Sequence, residues 1–368
     1  MLGYKMKSIA FLLGDASERG GVERVVFSLA SSLSKYHDIN ILSLYKRNEK
    51  VLYSMGGTVA VEFFSDVFEV SMYNRQMSSL KGMFFDINYI RSKKKEMEKR
   101  LRGYDFVVCS DIKSVLLCYI LDIDIKIITI EHFEYDVPAY VLKILRRILY
   151  NKIHKVITLT NEDNDKYNWL HQHIKITIPN ILHFKHYPKK KDTNRIIAVG
   201  RLTNQKGFDL LIEAWGMIYK KHPSWCLDII GDGEDKESLM NQIDNNNIKN
   251  VSLLPFTDDI HSEYASSEIF VLSSRYEGLG MVLLEAMAHS LACISFDCPA
   301  GPKTIIDSGI NGVLVPTGDV ERLSFEISNM IDDTEFRKRV SKNAPEIIKE
   351  FSEETICSKW SSIINEEI

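Results

Sequence analysis

The stretch from Ile269 to His289 narrows the choice of fold more than any other part of this chain. Ile269 to Ser274 is a short run of apolar and small residues, the pattern of a strand buried on both faces. Glu277, Gly278 and Gly280 follow as a loop, and a helix is predicted from near Met281 with Glu285 about one turn in. A strand covered on both faces, then a glycine loop, then a helix is the repeating unit of a parallel α/β sheet. Glycines at that junction let backbone N–H groups approach an anion, and the helix N-terminus adds about half a positive charge. A phosphate fits such a place. The carboxylates of Glu277 and Glu285 would repel it, unless they hold hydroxyl groups beside it. A sugar and a ribose offer those hydroxyls, so the pattern points to a nucleotide sugar.

The same alternation runs through the chain twice. Ser8 to Leu13 reads as a strand, Gly14 and Gly20-Gly21 as a loop, Val22 to Leu33 as a helix and Asp38 to Tyr45 as a second strand. That order implies parallel pairing through a right-handed crossover. The glycine spacing is not GxGxxG, and no acidic residue closes the second strand, so a dinucleotide site is only weakly supported. Gly20 and Gly21 would instead admit a phosphate or an acceptor close to the backbone. Further strands are predicted at Val59–Phe64, Phe106–Cys109, Lys126–Ile130, Val156–Thr160 and Lys175–Pro179, with a basic helix at Arg91–Arg102 and no clear pattern over 66–90. His132 follows a strand end, where open α/β sheets hold their ligands. A structural or merely solvated histidine is the other reading of that position.

Asn180 to Asn194, with Pro188 and Lys189 to Lys191, reads as an interdomain linker. A second alternation starts at Arg195. Gly200, Arg201, Lys206 and Gly207 lie between its first strand and a helix over Phe208–Lys221. Arg201 and Lys206 can converge on one diphosphate, the first as a fork and the second as a point charge. Strands at Trp225–Ile230, Val251–Phe256, Ala292–Phe296 and Val313–Val315 continue the sheet, and Asp319 to Ile368 reads as helical. The expected architecture is α/β, with two doubly wound parallel-sheet domains facing across a cleft.

Length and composition agree with two domains: 368 residues, 45% hydrophobic and 26% charged. No apolar run approaches the roughly 18 residues of a membrane span. The N-terminal segment MLGYKMKSIAFLLGD has too short an apolar core for a signal peptide, and Asp15 follows where a cleavage site would stand. Six scattered cysteines without a CxxC pair point to buried reduced thiols in the cytoplasm and to no metal site.

Charge is divided unevenly. Residues 1–190 hold 29 Lys and Arg against 21 Asp and Glu, whereas the remainder holds 17 against 29. Much of the basic excess sits in Arg91–Arg102 and in Tyr140–Lys155, where Val141, Leu142, Leu145, Ile148 and Leu149 form an apolar stripe. A basic amphipathic helix of this kind can lie on an anionic membrane surface, or can be a domain helix with a solvated basic face. No recognised module or aromatic platform accompanies the charge, so nucleic acid is not the expected partner.

Three motifs taken together, VGRLTNQKG, EGLGMVLLEAMA and GGVERVVFSLASSL, resemble the retaining GT-B glycosyltransferases marked by a Glu-x7-Glu pair, the glycosyltransferase family 4 type. The resemblance runs from about Gly14 to Gly318 and implies two Rossmann-like domains at 1–185 and 195–350. It also implies a linker at 186–194 and a last helix, 351–368, crossing back to the first domain. Arg201 and Lys206 match the pair that binds the donor diphosphate. Glu277 matches the carboxylate on the transferred sugar, and Glu285 the one on the ribose. Gly278, Leu279, Gly280, Met281 and Val282 match the loop facing phosphate and sugar, with Gly200 beside the diphosphate pair. Leu279 stands where Phe is commoner. Gly20 and Gly21 match the N-terminal glycine loop, His132 a histidine near the donor sugar, and Pro255, Phe256 and Thr257 the place of the base. The implied catalytic set is His132, Glu277, Arg201 and Lys206, with no metal and no cofactor.

Asp297 to Pro302 and the segment after it resemble a bacterial subgroup that builds surface polysaccharides and lipid-linked oligosaccharides. The implied partners are a nucleotide-sugar donor, a saccharide or polyprenyl-diphosphate-linked acceptor, and an anionic membrane surface. The implied place is the cytoplasmic face of the cell membrane. A nucleotide-sugar epimerase and an inactive pseudo-transferase are the alternatives.

Overall fold

The computed structural model describes residues 6–18, 20–51, 53, 59–65, 80–121, 123–138, 140–184 and 193–366. The chain divides into two compact units, Met1–Ile181 with Glu353–Ile368, and Leu182–Ser352. Most of the linker expected at 186–194 falls on 185–192, outside the described residues. Its expected start at Asn180 does not hold, because Asn180, Ile181 and Leu182 are buried and the Leu182 N–H donates to the Phe351 carbonyl at 2.9 Å.

In chain order, the first unit comprises β1 (Ser8–Asp15), α1 (Gly21–Leu33), β2 (Asp38–Tyr45), β3 (Ala60–Phe63), α2 (Leu80–Leu101), β4 (Phe106–Cys109), α3 (Ile112–Ile120), β5 (Lys126–Glu131), α4 (Tyr140–Leu149), β6 (Lys155–Thr158), α5 (Asn161–Lys166) and β7 (Lys175–Thr177). Its strands run parallel in the order β3-β2-β1-β4-β5-β6-β7. The central strands are unbroken apolar runs because helices cover both faces. Ile9 to Leu13 in β1 and all of β4 are buried. The pattern at Arg91–Arg102 marks only the second half of α2. The helix starts at Leu80, where aromatic residues and glycine interrupt any helical stripe.

The second unit comprises β8 (Arg195–Val199), α6 (Phe208–Ile218), β9 (Cys226–Ile230), α7 (Lys236–Asn245), β10 (Val251–Leu254), α8 (Ile260–Ala265), β11 (Ile269–Leu272), α9 (Met281–Ala288), β12 (Ala292–Phe296), α10 (Pro302–Ile305), β13 (Val313–Val315), α11 (Val320–Asp332) and α12 (Thr334–Asn343). Its parallel order is β10-β9-β8-β11-β12-β13. One core cluster joins Trp215 of α6 to β8, β9, β11, β12 and α11. The last helix, α13 (Glu353–Ile364), packs in the first unit, where Trp360 lies 6.4 Å from the Phe11 ring.

In each sheet the order reverses once, between β1 and β4 and between β8 and β11. Loops leaving the strands on either side of such a reversal diverge and leave a crevice at the carboxyl ends of the strands. In the second unit those loops are 200–207 and 273–280, which carry Arg201, Lys206 and Glu277.

Candidate active site

Helix starts separate into two kinds. Asp111, Thr160, Asp259, Asp319 and Asp333 cap α3, α5, α8, α11 and α12 with side-chain oxygens that accept from backbone N–H groups. Glycines occupy the corresponding place before α1, α6 and α9, and none has a side-chain cap. Gly207 and Gly280 take φ of +62° and +83°, the left-handed region that glycine enters without strain. At Gly207 a Cβ would stand 2.0 Å from the Ser273 carbonyl oxygen, so the loops after β8 and β11 meet only because that side chain is missing. The uncapped N–H groups of α6 and α9 therefore open on the reversal of the second sheet, and an anion can supply the missing partner.

Lys206 and Glu277 meet in this place. The Lys206 ammonium donates to Glu277 Oε1 at 2.6 Å, and the Ser274 hydroxyl donates to the same oxygen at 2.6 Å. Glu277 is buried and Ser274 is wholly enclosed. A carboxylate beside a phosphate is unfavourable by itself. Here its charge is met by Lys206, and with Oε1 saturated, Oε2 is the oxygen left for a hydroxyl-bearing ligand. Gly200 lets the Lys206 stem approach, because a Cβ there would lie 3.3 Å from three of its carbons. Arg201 is exposed and has no ion pair or hydrogen bond among the described residues. Burial, with the Glu277 charge added, pushes the nearby Cys298 thiol up to about 12. Cys298 stays a neutral thiol at neutral pH.

Further bonds tie the two loops into one piece. Gln205 Nε2 donates to the Tyr276 carbonyl at 3.0 Å, and the Arg275 N–H donates to the Gln205 carbonyl at 2.8 Å. The Arg275 guanidinium grips the Asp209 carboxylate at 2.8 and 2.7 Å. Both partners shift their titration away from neutrality, Asp209 downward and Arg275 upward, first through that bond. Leu279 is buried, and Gly278, Met281 and Val282 are partly exposed around the α9 start.

Glu285 lies inside α9 at 6% exposure, not on a solvated face. The Tyr264 hydroxyl of α8 is 3.2 Å from Glu285 Oε2 and 3.4 Å from the Val282 carbonyl. Behind it, His289 Nδ1 lies 2.8 Å from the Glu285 carbonyl, and the His289 ring stacks on His261 with 5.1 Å between centroids. Pro255, Phe256 and Thr257 follow the end of β10, with Phe256 58% exposed.

In the first unit, Gly20 and Gly21 stand at the start of α1 beside the reversal of that sheet. No atom lies within 4 Å of a Cβ built on Gly21, whereas one on Gly20 would strike the Glu23 carboxylate. His132 follows β5 directly. Part of the residue is exposed, but Nε2 is enclosed without a hydrogen-bond partner among the described residues. Burial lowers its pKa to about 4, so the ring is neutral at pH 7.

The residue before it, Glu131, corrects the expectation for Tyr140–Lys155. That segment is not one helix: α4 ends at Leu149, and Lys155 already belongs to β6. Arg146 is not on a solvated basic face. It is 4% exposed and hydrogen-bonded to Glu131, which also accepts from the Tyr150 hydroxyl. Lys155 is buried and bound to the His173 carbonyl at 2.8 Å, and Lys143 pairs with Asp136 at 2.8 Å. The basic helix α2 is likewise partly neutralised along its own length, by pairs such as Lys94–Glu98 and Arg100–Glu96.

Ser274, Tyr264 and His289 were not among the expected site residues. Ser274 has a signal, a hydroxyl three residues before a buried glutamate in the same loop. Tyr264 has none, because its partner is 21 residues away on another helix.

Residues 180–347 match the family model described as Glycosyl transferases group 1. The Erwinia amylovora amylovoran biosynthesis glycosyltransferase AmsD is 27% identical over 380 residues, covering 98% of this chain and 100% of the relative. The Campylobacter jejuni GalNAc-alpha-(1->4)-GalNAc-alpha-(1->3)-diNAcBac-PP-undecaprenol alpha-1,4-N-acetyl-D-galactosaminyltransferase is 24% identical over 369 residues, covering 98% of this chain and 99% of its own. Among solved structures, a variant of S. aureus TarM in complex with fondaparinux, alpha-GlcNAc-glycerol and UDP superposes with a TM-score of 0.82 at 16% identity. It covers 98% of this chain and 100% of that one. The fold is GT-B.

Proposed function

Residues 180–347 belong to the group 1 glycosyl transferases, and from that premise we propose that the protein is a retaining hexosyltransferase. It takes a hexose or N-acetylhexosamine from a UDP-sugar and transfers it to a saccharide on a polyprenyl-diphosphate carrier, in bacterial surface polysaccharide synthesis. The observation that carries this reading is the Lys206–Glu277–Ser274 group between the uncapped starts of α6 and α9, with buried Glu285 eight residues further on. Phosphate needs donors and positive charge, and sugar hydroxyls need acceptors. This crevice supplies both within one pair of loops. The UDP in the TarM complex and the lipid carrier in the Campylobacter name support the choice of donor and acceptor.

In the transfer, the bond from sugar C1 to the diphosphate oxygen breaks and a bond from C1 to an acceptor hydroxyl oxygen forms on the same face. The hydroxyl proton passes to the departing diphosphate. Arg201, Lys206 and the N–H groups at the α9 start hold the negative charge that grows on that diphosphate. Glu277 holds the sugar hydroxyls and Glu285 the ribose. Pro255, Phe256 and Thr257 lie against the base. His132 acts through its backbone or its neutral side chain, and Gly21 leaves room for the acceptor. The cation set makes an added metal unnecessary in this reading, and the place of work is the cytoplasmic face of a membrane.

Radiolabelled UDP-sugars with a lipid-linked saccharide test the proposal, with divalent cation and with chelator. Label moving to the lipid under both conditions is the expected result. An isomerised nucleotide sugar, or binding without turnover, would replace the reading by an epimerase or by an inactive subunit. Glu277→Ala should abolish transfer and spare UDP binding. Equal transfer by that variant overturns the site.

A further inference from the structure

Helix α4 is turned in an unusual direction. It buries Leu142, Arg146 and Leu149. It exposes Tyr140 (77%), Val141 (56%), Ile144 (43%) and Ile148 (55%). Positions 140, 144 and 148 are spaced by four, so these side chains form one stripe along the outward side. The loop before the helix adds Phe133 and Val137, which are also exposed. Single exposed apolar residues are ordinary, but a contiguous stripe of large ones marks a surface that is covered in use.

The charge around the stripe identifies the cover. Arg147 lies within it and Lys152 follows it, both exposed and neither in an ion pair among the described residues. Each lies along an aromatic ring, Arg147 over Trp169 at 5.9 Å and Lys152 over Tyr119 at 5.2 Å. The nearby acid, Asp136, is engaged by Lys143 and Lys166. Apolar side chains with tyrosine and lysine or arginine at their margin match the boundary of a lipid layer, where stems and rings sit among the acyl chains and charges sit at the phosphates. A stable protein dimer covers roughly 800 Å² on each partner with some 20–30 residues. One ten-residue helix offers less than that, whereas a peripheral lipid contact needs only apolar area plus attraction to anionic headgroups.

We propose that the outward stripe of α4, Tyr140, Val141, Ile144 and Ile148 with Arg147 and Lys152, seats the first unit on an anionic lipid surface. The apolar side chains enter the headgroup boundary and the two cations meet lipid phosphates. The surface lies on the first unit and is independent of the donor crevice, although a lipid-linked acceptor gives it a purpose. The experiment is co-sedimentation of the full chain with phosphatidylglycerol vesicles and with phosphatidylcholine vesicles, at low and high salt. The parent should bind the anionic vesicles, more weakly at high salt, and ignore the neutral ones. Ile144→Ser with Ile148→Ser should lower that binding by about tenfold or more. Arg147→Glu with Lys152→Glu should remove its salt-sensitive part. The melting temperature and the UDP-induced shift, measured on the same samples, should stay at parent values, which separates this surface from the donor reading. Binding unchanged in both double variants overturns the proposal, and so does a parent that ignores anionic vesicles. A parent dimer that the isoleucine variant splits shows that a second copy covers the stripe, and overturns it as well.

Discussion

Two buried glutamates, one in each unit, are held in nearly the same way and do different work. Glu131 closes β5 and is bound by Arg146 and the Tyr150 hydroxyl. Glu277 follows β11 and is bound by Lys206 and the Ser274 hydroxyl. The first pair is sealed, with side-chain exposures of 5% and 6%. In the second, Lys206 keeps 16%. Arg146 reaches Glu131 from a helix packed over the strand, and its guanidinium also faces the Tyr135 carbonyl at 3.4 Å. Lys206 reaches Glu277 from a loop whose neighbouring helix starts are uncapped. Closure around all members makes a brace. An open side with spare donors makes a place for a ligand.

The largest effect belongs to the sealed pair. Arg146→Met leaves a buried carboxylate without its cation, and breaking such a pair from one side costs about 3–5 kcal/mol. The first unit should then melt earlier by roughly 10 °C, with UDP binding at the lower temperature unchanged. Calorimetry measures this. Adding Glu131→Gln should recover part of the loss, because no ionised group is then stranded. If the single variant melts like the parent, the pair is not a brace.

The open pair should show the reverse. Lys206→Ala removes a donor to the departing diphosphate and should lower the transfer rate by about 10²–10³. The melting temperature should move less than in Arg146→Met, because Ser274 still donates to Glu277 and Lys206 is partly solvated. Steady-state transfer and a melting curve on one preparation separate rate from stability. A variant that melts as early as Arg146→Met would make Lys206 a second brace.

His132 gives the next effect, and its sign follows from burial. Its folded pKa of about 4 lies below the ordinary 6.5. Both states are neutral at pH 7. As pH falls, the unfolded chain takes up the proton first, so stability drops between about 6.5 and 4. Burial lowers His37 and His154 in the same direction, so part of the slope remains without His132. Urea midpoints at pH 7 and pH 5 should differ less for His132→Asn than for the parent. Equal differences would mean that Nε2 is solvated.

These contrasts also mark what the sequence reveals. Strands such as β1, β4 and β12 are legible because both-sided burial leaves a continuous apolar run. Glu277, Glu285, Arg201 and Lys206 are legible because their loop needs glycines at fixed places, which leaves a motif. Arg146 was read as a surface cation because its partner is 15 residues away on another element. Its position, four residues after Leu142 and three before Leu149, nonetheless places it on the buried side. The start of α2 was lost because no apolar period survives near Leu80. Charge run and helical period gave opposite answers for α4, and the period decided its orientation.

The smallest effect is the one most specific to role. The Tyr264 hydroxyl has one proton and two acceptors in reach, Glu285 Oε2 at 3.2 Å and the Val282 carbonyl at 3.4 Å. Tyr264→Phe keeps the ring against Phe270 and His289, so packing persists and only the hydroxyl is lost. Losing one shared bond of this length is worth about 0.5–1.5 kcal/mol. If Glu285 holds the ribose, that loss is felt equally by bound donor and transition state. KM for the donor should rise by about two- to tenfold while kcat stays within a factor of about two. A fall in kcat with KM unchanged would instead place Glu285 near the reacting atoms. Glu285 would then be acting on charge in the transition state, as Glu277 and Lys206 are proposed to do, and the ribose would need another acceptor.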